Sequence, residues 1–159
     1  VVDLGAAPGG WCQVASKRVK AEEGRGKIIA IDMHGIDPLP GVTIFKKNFL
    51  DDDAPQLLFD ALGGRKADVV LSDMAAHATG HRQTDHILVM TLAEAGLDFA
   101  RQVLAPGGTY LAKVLRGGTE GEMLKQMKKD FSSVRHVKPM ASRDDSAELF
   151  VLAMGFRGA

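Results

Sequence analysis

Val1-Val2-Asp3-Leu4-Gly5-Ala6-Ala7-Pro8-Gly9-Gly10-Trp11 opens the chain and decides how the rest is read. The run Val1–Leu4 reads as a short buried strand that passes straight into a loop of small residues. Such residues let the backbone approach a ligand closely, and a segment of helical periodicity over 10–23 follows, offering its unpaired N–H groups. A glycine loop between a strand and a helix is the cofactor loop of Rossmann-like folds. The dinucleotide fingerprint GxGxxG is not met, because Ala7 occupies the second glycine position and Pro8 intrudes. A loop around an amino-acid tail therefore suits it better than a pyrophosphate cradle, and a tight β-to-α turn without a ligand is the competing interpretation.

The alternation continues along the chain. Strands are expected at Val1–Leu4, Lys27–Asp32, Val42–Lys46, Asp68–Ser72, Thr109–Leu115, Ser133–Lys138 and Glu148–Met154. Helices are expected at 10–23, 54–63, 84–105 and 119–130, the third stopping at Pro106-Gly107-Gly108 and the fourth opening on a Thr119/Glu122 capping box. Short strands alternating with longer helices give an α/β fold, a mostly parallel seven-stranded sheet with helices on both faces. The 159 residues suffice for one such domain. Because Val1 begins inside a strand with no methionine before it, an upstream N-terminal segment is expected to be missing from this chain.

Composition excludes several classes. With 45% hydrophobic and 25% charged residues the chain is that of a soluble globular protein, and no run approaches the roughly 20 apolar residues of a membrane span. Its one cysteine, Cys12, forms no internal disulfide, and no Cys/His cluster has zinc spacing, so a cytoplasmic protein without a metal is expected. The formal net charge is zero, yet residues 101–143 hold nine basic against three acidic side chains. That local excess suits a phosphate backbone as well as it suits a solvated helix face.

Five residues in or beside the strands carry candidate chemistry. Asp32 closes the second strand, where a carboxylate can accept from the vicinal ribose hydroxyls of an adenosine. Asn48, just past the third strand, can read an adenine edge. Asp73 follows the fourth, at the carboxyl edge of the sheet where ligands of open α/β folds bind. Lys113 lies inside the apolar run Tyr110–Leu115, and a buried ammonium is costly unless it is paired. It is a candidate general base, the alternative being an edge lysine that reaches water. Glu148 opens the last strand and can pair with Lys113 if that strand lies antiparallel beside it.

These residues, with Asp37-Pro38, Gly41-Val42, Ser72-Asp73-Met74-Ala75, Leu104-Ala105-Pro106-Gly107-Gly108, Lys138-Pro139 and Ser142-Arg143, resemble the RrmJ/FtsJ-like family of ribose 2′-O-methyltransferases over nearly the whole chain. The resemblance implies a Rossmann-like methyltransferase fold whose last strand is antiparallel, S-adenosylmethionine as cofactor, and a uridine of large-subunit ribosomal RNA as substrate. It implies that Gly9 and Trp11 contact the cofactor, that Asp32 holds its ribose, and that Asn48 and Asp73 lie by the adenine and the methionine portion. Of the family's catalytic Lys-Asp-Lys-Glu set, Asp73, Lys113 and Glu148 match the last three, and the first lysine belongs to a segment before the first strand. Asn48 stands where bacterial members usually have Asp, and Ala76-His77 where they usually have Pro-Asn.

Methyl transfer requires in-line alignment of the 2′-oxygen and removal of its proton. Lys113, oriented by Glu148, is the expected base; a Lys113 that stays charged and stabilises the alkoxide is the alternative. RNA contact is expected from Arg116, Lys125, Lys128, Lys129 and Arg143, in a monomer acting on ribosomal RNA within the large subunit. The rivals are a nicotinamide-dependent oxidoreductase, which shares the loop and Asp32, a small-molecule methyltransferase, and an RNA-binding or ribosome-assembly protein that keeps the fold without the chemistry.

Overall fold

A computed structural model of the protein describes residues 1–7, 9–74, 81–115, 121–138 and 148–158, with Arg82, Gln83, Leu115 and Glu148 described by their backbone alone. The strands are β1 (Val2–Leu4), β2 (Ile28–Asp32), β3 (Val42–Lys46), β4 (Ala67–Ser72), β5 (Leu104–Leu115), β6 (Phe131–Val137) and β7 (Glu148–Phe156). The helices are α1 (Gly10–Val19), α2 (Ala54–Leu62), α3 (Arg82–Val103) and α4 (Gly121–Asp130). They build one seven-stranded sheet in the order β3-β2-β1-β4-β5-β7-β6. β7 runs antiparallel to both its neighbours, and the remaining pairs are parallel.

Strand periodicity explains how the sheet is covered on both faces. Successive side chains of β2 point to opposite sides. Ile28 and Ala30 pack with Ala6 and Cys12 beneath α1, whereas Ile29 and Ile31 join the larger core formed with α2, α3 and α4. In that core Phe99 of α3 stacks on Phe59 of α2 at 5.6 Å and meets Phe49 edge-on. Tyr110 of β5 is fully buried, and its hydroxyl donates to the Ala93 carbonyl at 2.8 Å, which satisfies the polar end of an otherwise apolar side chain.

Several expected boundaries move. The helix expected over 10–23 ends at Val19, because Lys20 takes a left-handed conformation (φ 56°) that caps α1 before a single 3-10 turn over Ala21–Glu23. The helix expected to run to 105 ends at Val103: Leu104 already pairs with Ala67, so Pro106-Gly107-Gly108 lies within β5, at a register shift, and not at the helix end. β6 likewise begins at Phe131, directly after α4, because Phe131 pairs with Phe156 and their rings pack at 5.3 Å. Thr119 of the expected capping box lies outside the described residues, as do Pro8 and His77.

Candidate active site

The carboxyl ends of β1, β2, β3 and β4 are laced together by backbone hydrogen bonds. Gly5 N–H donates to the Ile31 carbonyl (2.9 Å), Lys47 N–H to that of Asp32 (2.8 Å), and Asp73 N–H to that of Leu4 (3.1 Å). Parallel strands all end on one side, so the loops leaving them meet there. They enclose a cleft of about 680 Å³, within the range of small-molecule sites, whose lining includes Gly5, Ala7, Asp32, Asn48, Asp73 and Lys113. The tight fit at the loop requires glycine: at Gly5, with φ +74°, a Cβ would stand 2.8 Å from the Met74 Cα.

Asp32 ties the loop to the end of β2. Its Oδ2 accepts from Ala7 N–H at 3.0 Å and its Oδ1 from His34 N–H at 2.7 Å. Each carboxylate oxygen keeps a further lone pair for a ligand. Asn48, which lines the cleft, accepts the Leu50 N–H on its Oδ1 (2.9 Å), closing a turn and leaving its NH₂ group as a donor. That turn is braced by Lys47, which pairs with Asp53 at 2.9 Å and Asp51 at 3.6 Å. Met33 and Leu50, 59% and 51% exposed, line the same cleft as apolar walls that no sequence motif marked.

Lys113 Nζ lies 2.7 Å from Asp73 Oδ1, with the lysine side chain 13% exposed. Asp73 Oδ1 is buried and accepts no aligned hydrogen bond from the described residues, so the contact is a charge pair. Glu148 opens β7 opposite Leu115, two residues along from Phe150, the partner of Lys113. The Glu148 side chain lies outside the described residues. Gly9 and Trp11 are not among the residues lining the cleft. Gly9 is the left-handed cap (φ 116°) from which α1 starts, and Trp11 is half-buried with its ring 5.3 Å from that of Phe150.

A further titratable group sits directly under the loop. Asp3, 1% exposed in the middle of the sheet, accepts a hydrogen bond from the Cys12 thiol at 3.1 Å, and its Oδ1 has no hydrogen-bond partner among the described residues. Burial raises its pKa to about 6; the Cys12 hydrogen bond works against this, and the charges of Asp73 and Asp32 add to it. Burial also pushes the Cys12 thiol up, which keeps it a proton donor. The signal was present in the sequence, since an aspartate inside Val-Val-Asp-Leu breaks an apolar strand as Lys113 does.

The basic stretch divides between the two ends of β6. Val137 pairs with Phe150, which pairs with Lys113, so Lys138 follows the strand end nearest the cleft. Lys128 and Lys129 close α4 just before Phe131, six residues or roughly 20 Å away along the strand. Arg116 and Arg143 lie outside the described residues. Among the described residues no group of three or more metal-ligating side chains occurs, and no helix is long and apolar enough to cross a membrane.

A parallel sheet closed by one antiparallel strand, with a glycine loop and an acid at each neighbouring strand end, defines a Rossmann-like methyltransferase fold. The chain belongs to the FtsJ-like methyltransferase family, whose model matches residues 1–156. It is 61% identical over 158 residues to ribosomal RNA large subunit methyltransferase E of Xanthobacter autotrophicus, covering 99% of this chain and 62% of that protein. With the protein of the same name from Azorhizobium caulinodans the identity is 58% over 159 residues, covering 100% and 66%. The chain thus spans just under two thirds of these relatives. A Plasmodium falciparum structure assigned as a ribosomal RNA methyltransferase superposes with a TM-score of 0.84 at 29% identity, covering 99% of this chain and 86% of that one. Human methyltransferase-like protein 13, solved in complex with SAH, shares the fold alone: TM-score 0.63, 13% identity, 96% and 70% covered.

Proposed function

We propose that the chain transfers a methyl group from S-adenosylmethionine to the 2′-hydroxyl of a uridine ribose in large-subunit ribosomal RNA, as a cytoplasmic monomer. The observation that carries this reading is the Lys113–Asp73 charge pair, set at the edge of a cleft built for an adenosine. The membership of the FtsJ-like family and the names of the relatives supply the substrate class.

The cleft fits the cofactor in size and in chemistry. Asp32 would accept from the ribose diol, the Asn48 NH₂ group would donate to the adenine, and Met33 with Leu50 would give the base apolar contact. At the start of α1 the backbone N–H groups of Gly9 to Trp11 have no intrahelical partner, which suits a carboxylate. When bound, the cofactor supplies a methyl group already activated by a sulfonium.

The protein's own work is then to position the acceptor oxygen and to manage its proton. Asp73 holds the Lys113 amine at the cleft edge, and Glu148 orients it from β7. In the paired form Lys113 stabilises the developing alkoxide; as a base it first gives up its proton. The test is transfer from labelled cofactor to ribosomal RNA followed by mapping of the modified ribose. Label found only on a base or on protein would refute the reading, and calorimetry with NAD in place of S-adenosylmethionine should show no binding.

A further inference from the structure

The proposed function leaves one feature of the site without a task, the ring pair Trp11–Phe150. Sheet order sets where it lies. Lys113 belongs to β5, which sits between β4 and β7. The cofactor groups Gly5, Asp32 and Asp73 all leave strands on the β4 side, and Asp73 holds the lysine from that side. An acceptor ribose meeting Lys113 therefore has to arrive from the β7 side. There Phe150 is the direct cross-strand partner of Lys113, so the two side chains project from the same face of the sheet, with their Cβ atoms about 5 Å apart.

Phe150 is 8% exposed, and Trp11 packs over it with ring centroids 5.3 Å apart and planes tilted by 45°. Trp11 itself is half-buried and does not line the cofactor cleft. A buried ring that backs a partly open indole fixes the indole's orientation while leaving surface for another flat group. Every nucleobase has such a face, and stacking on an aromatic side chain tolerates any sequence.

We propose that the Trp11 indole, backed by Phe150, is the platform on which the base of the acceptor nucleotide stacks while its ribose meets Lys113. This rests on the reading of the site as a ribose methyltransferase. It gives the Trp11 side chain to the RNA and leaves only the Trp11 backbone N–H to the cofactor.

Trp11 is the sole tryptophan of the 159 residues, so its fluorescence reports on this site without a variant. Titration with oligouridylate should quench it saturably, and the quenching should persist at saturating S-adenosylhomocysteine. Trp11→Ala should weaken oligouridylate binding about tenfold and raise the KM for ribosomal RNA, with S-adenosylhomocysteine affinity unchanged; Trp11→Phe should restore most of the loss. Absence of quenching, its removal by S-adenosylhomocysteine, or a Trp11→Ala variant that loses cofactor affinity instead of RNA affinity would overturn the proposal. A wild-type chain that methylates ribose while Trp11→Ala keeps its KM sinks the platform alone. A wild-type chain that transfers no methyl to ribose sinks the functional reading, and the quenching titration still decides the platform.

Discussion

Lys113 Nζ and Asp73 Oδ1 stand 2.7 Å apart although 40 positions separate them in the chain. The pair forms because β4 and β5 are parallel neighbours, with Ser72 opposite Ala112. Removing Lys113 leaves the buried Asp73 Oδ1 without the cation it faces. Lys113→Ala should lower kcat for methyl transfer by about a hundredfold or more while S-adenosylhomocysteine affinity changes only a few-fold. Asp73→Ala should lower both, because Asp73 also borders the cleft. Single-turnover transfer and calorimetry on the two variants separate these effects, and a Lys113→Ala enzyme of normal kcat would remove the lysine from the mechanism.

Asp32 holds the loop by the Ala7 N–H and, in the proposed function, also accepts from the cofactor ribose. Asp32→Ala should weaken S-adenosylhomocysteine binding by about 10- to 100-fold, the worth of one or two charge-assisted hydrogen bonds. Asp32→Asn keeps one acceptor oxygen and should fall between. Calorimetric titration measures this, and wild-type affinity in the alanine variant would assign the carboxylate to the loop alone.

Asp3 gives the fold a pH signature. Its folded pKa, raised by burial to about 6, lies above its ordinary value of 3.8, so between these values the folded chain binds more proton than the unfolded one. Stability contributed by this group therefore falls as pH rises from about 4 to 6 and stays low above it. Asp3→Asn removes this pH dependence. The variant should gain on the wild type by about 1–3 kcal/mol between pH 4 and pH 8 in urea unfolding. A stability difference that is constant over that range would contradict the assignment.

The two ends of β6 should contribute differently to RNA. Lys138, beside the rung that carries Lys113, and Arg135 should each raise the KM for ribosomal RNA when changed to alanine. Lys128→Ala and Lys129→Ala, at the far end, should leave kcat/KM within a few-fold. Removing one phosphate-binding cation should reduce the slope of log affinity against log salt by about 0.7–0.9. Equal effects from both ends would mean that the RNA wraps the whole of α4 and β6.

Much of this was legible from local pattern. Short β-branched or apolar runs marked all seven strands, and the glycine loop with Asp32 marked the edge on which the cleft opens, because turn chemistry and strand burial are local properties. Boundaries failed where pairing at a distance overrode them: Leu104 is already strand because Ala67 is beside it, and Phe131 because Phe156 is. Asp3 carried the same signal as Lys113, a charged side chain inside an apolar run, but only the fold shows its donor, Cys12, which comes from the next helix.

Sequence by itself determined the alternation of strands and helices, the small-residue loop at Gly5–Trp11, and the presence of an acid or amide at each strand end facing one edge. Tertiary structure alone decided which of those groups meet. The neighbours of β5 are β4 and β7, strands separated from one another by more than 70 residues, and that order brings Asp73 to one side of Lys113 and Phe150 with Trp11 to the other. Strand order is set by the packing of whole faces against the helices, a sum over many distant contacts, so no short stretch of the chain encodes it.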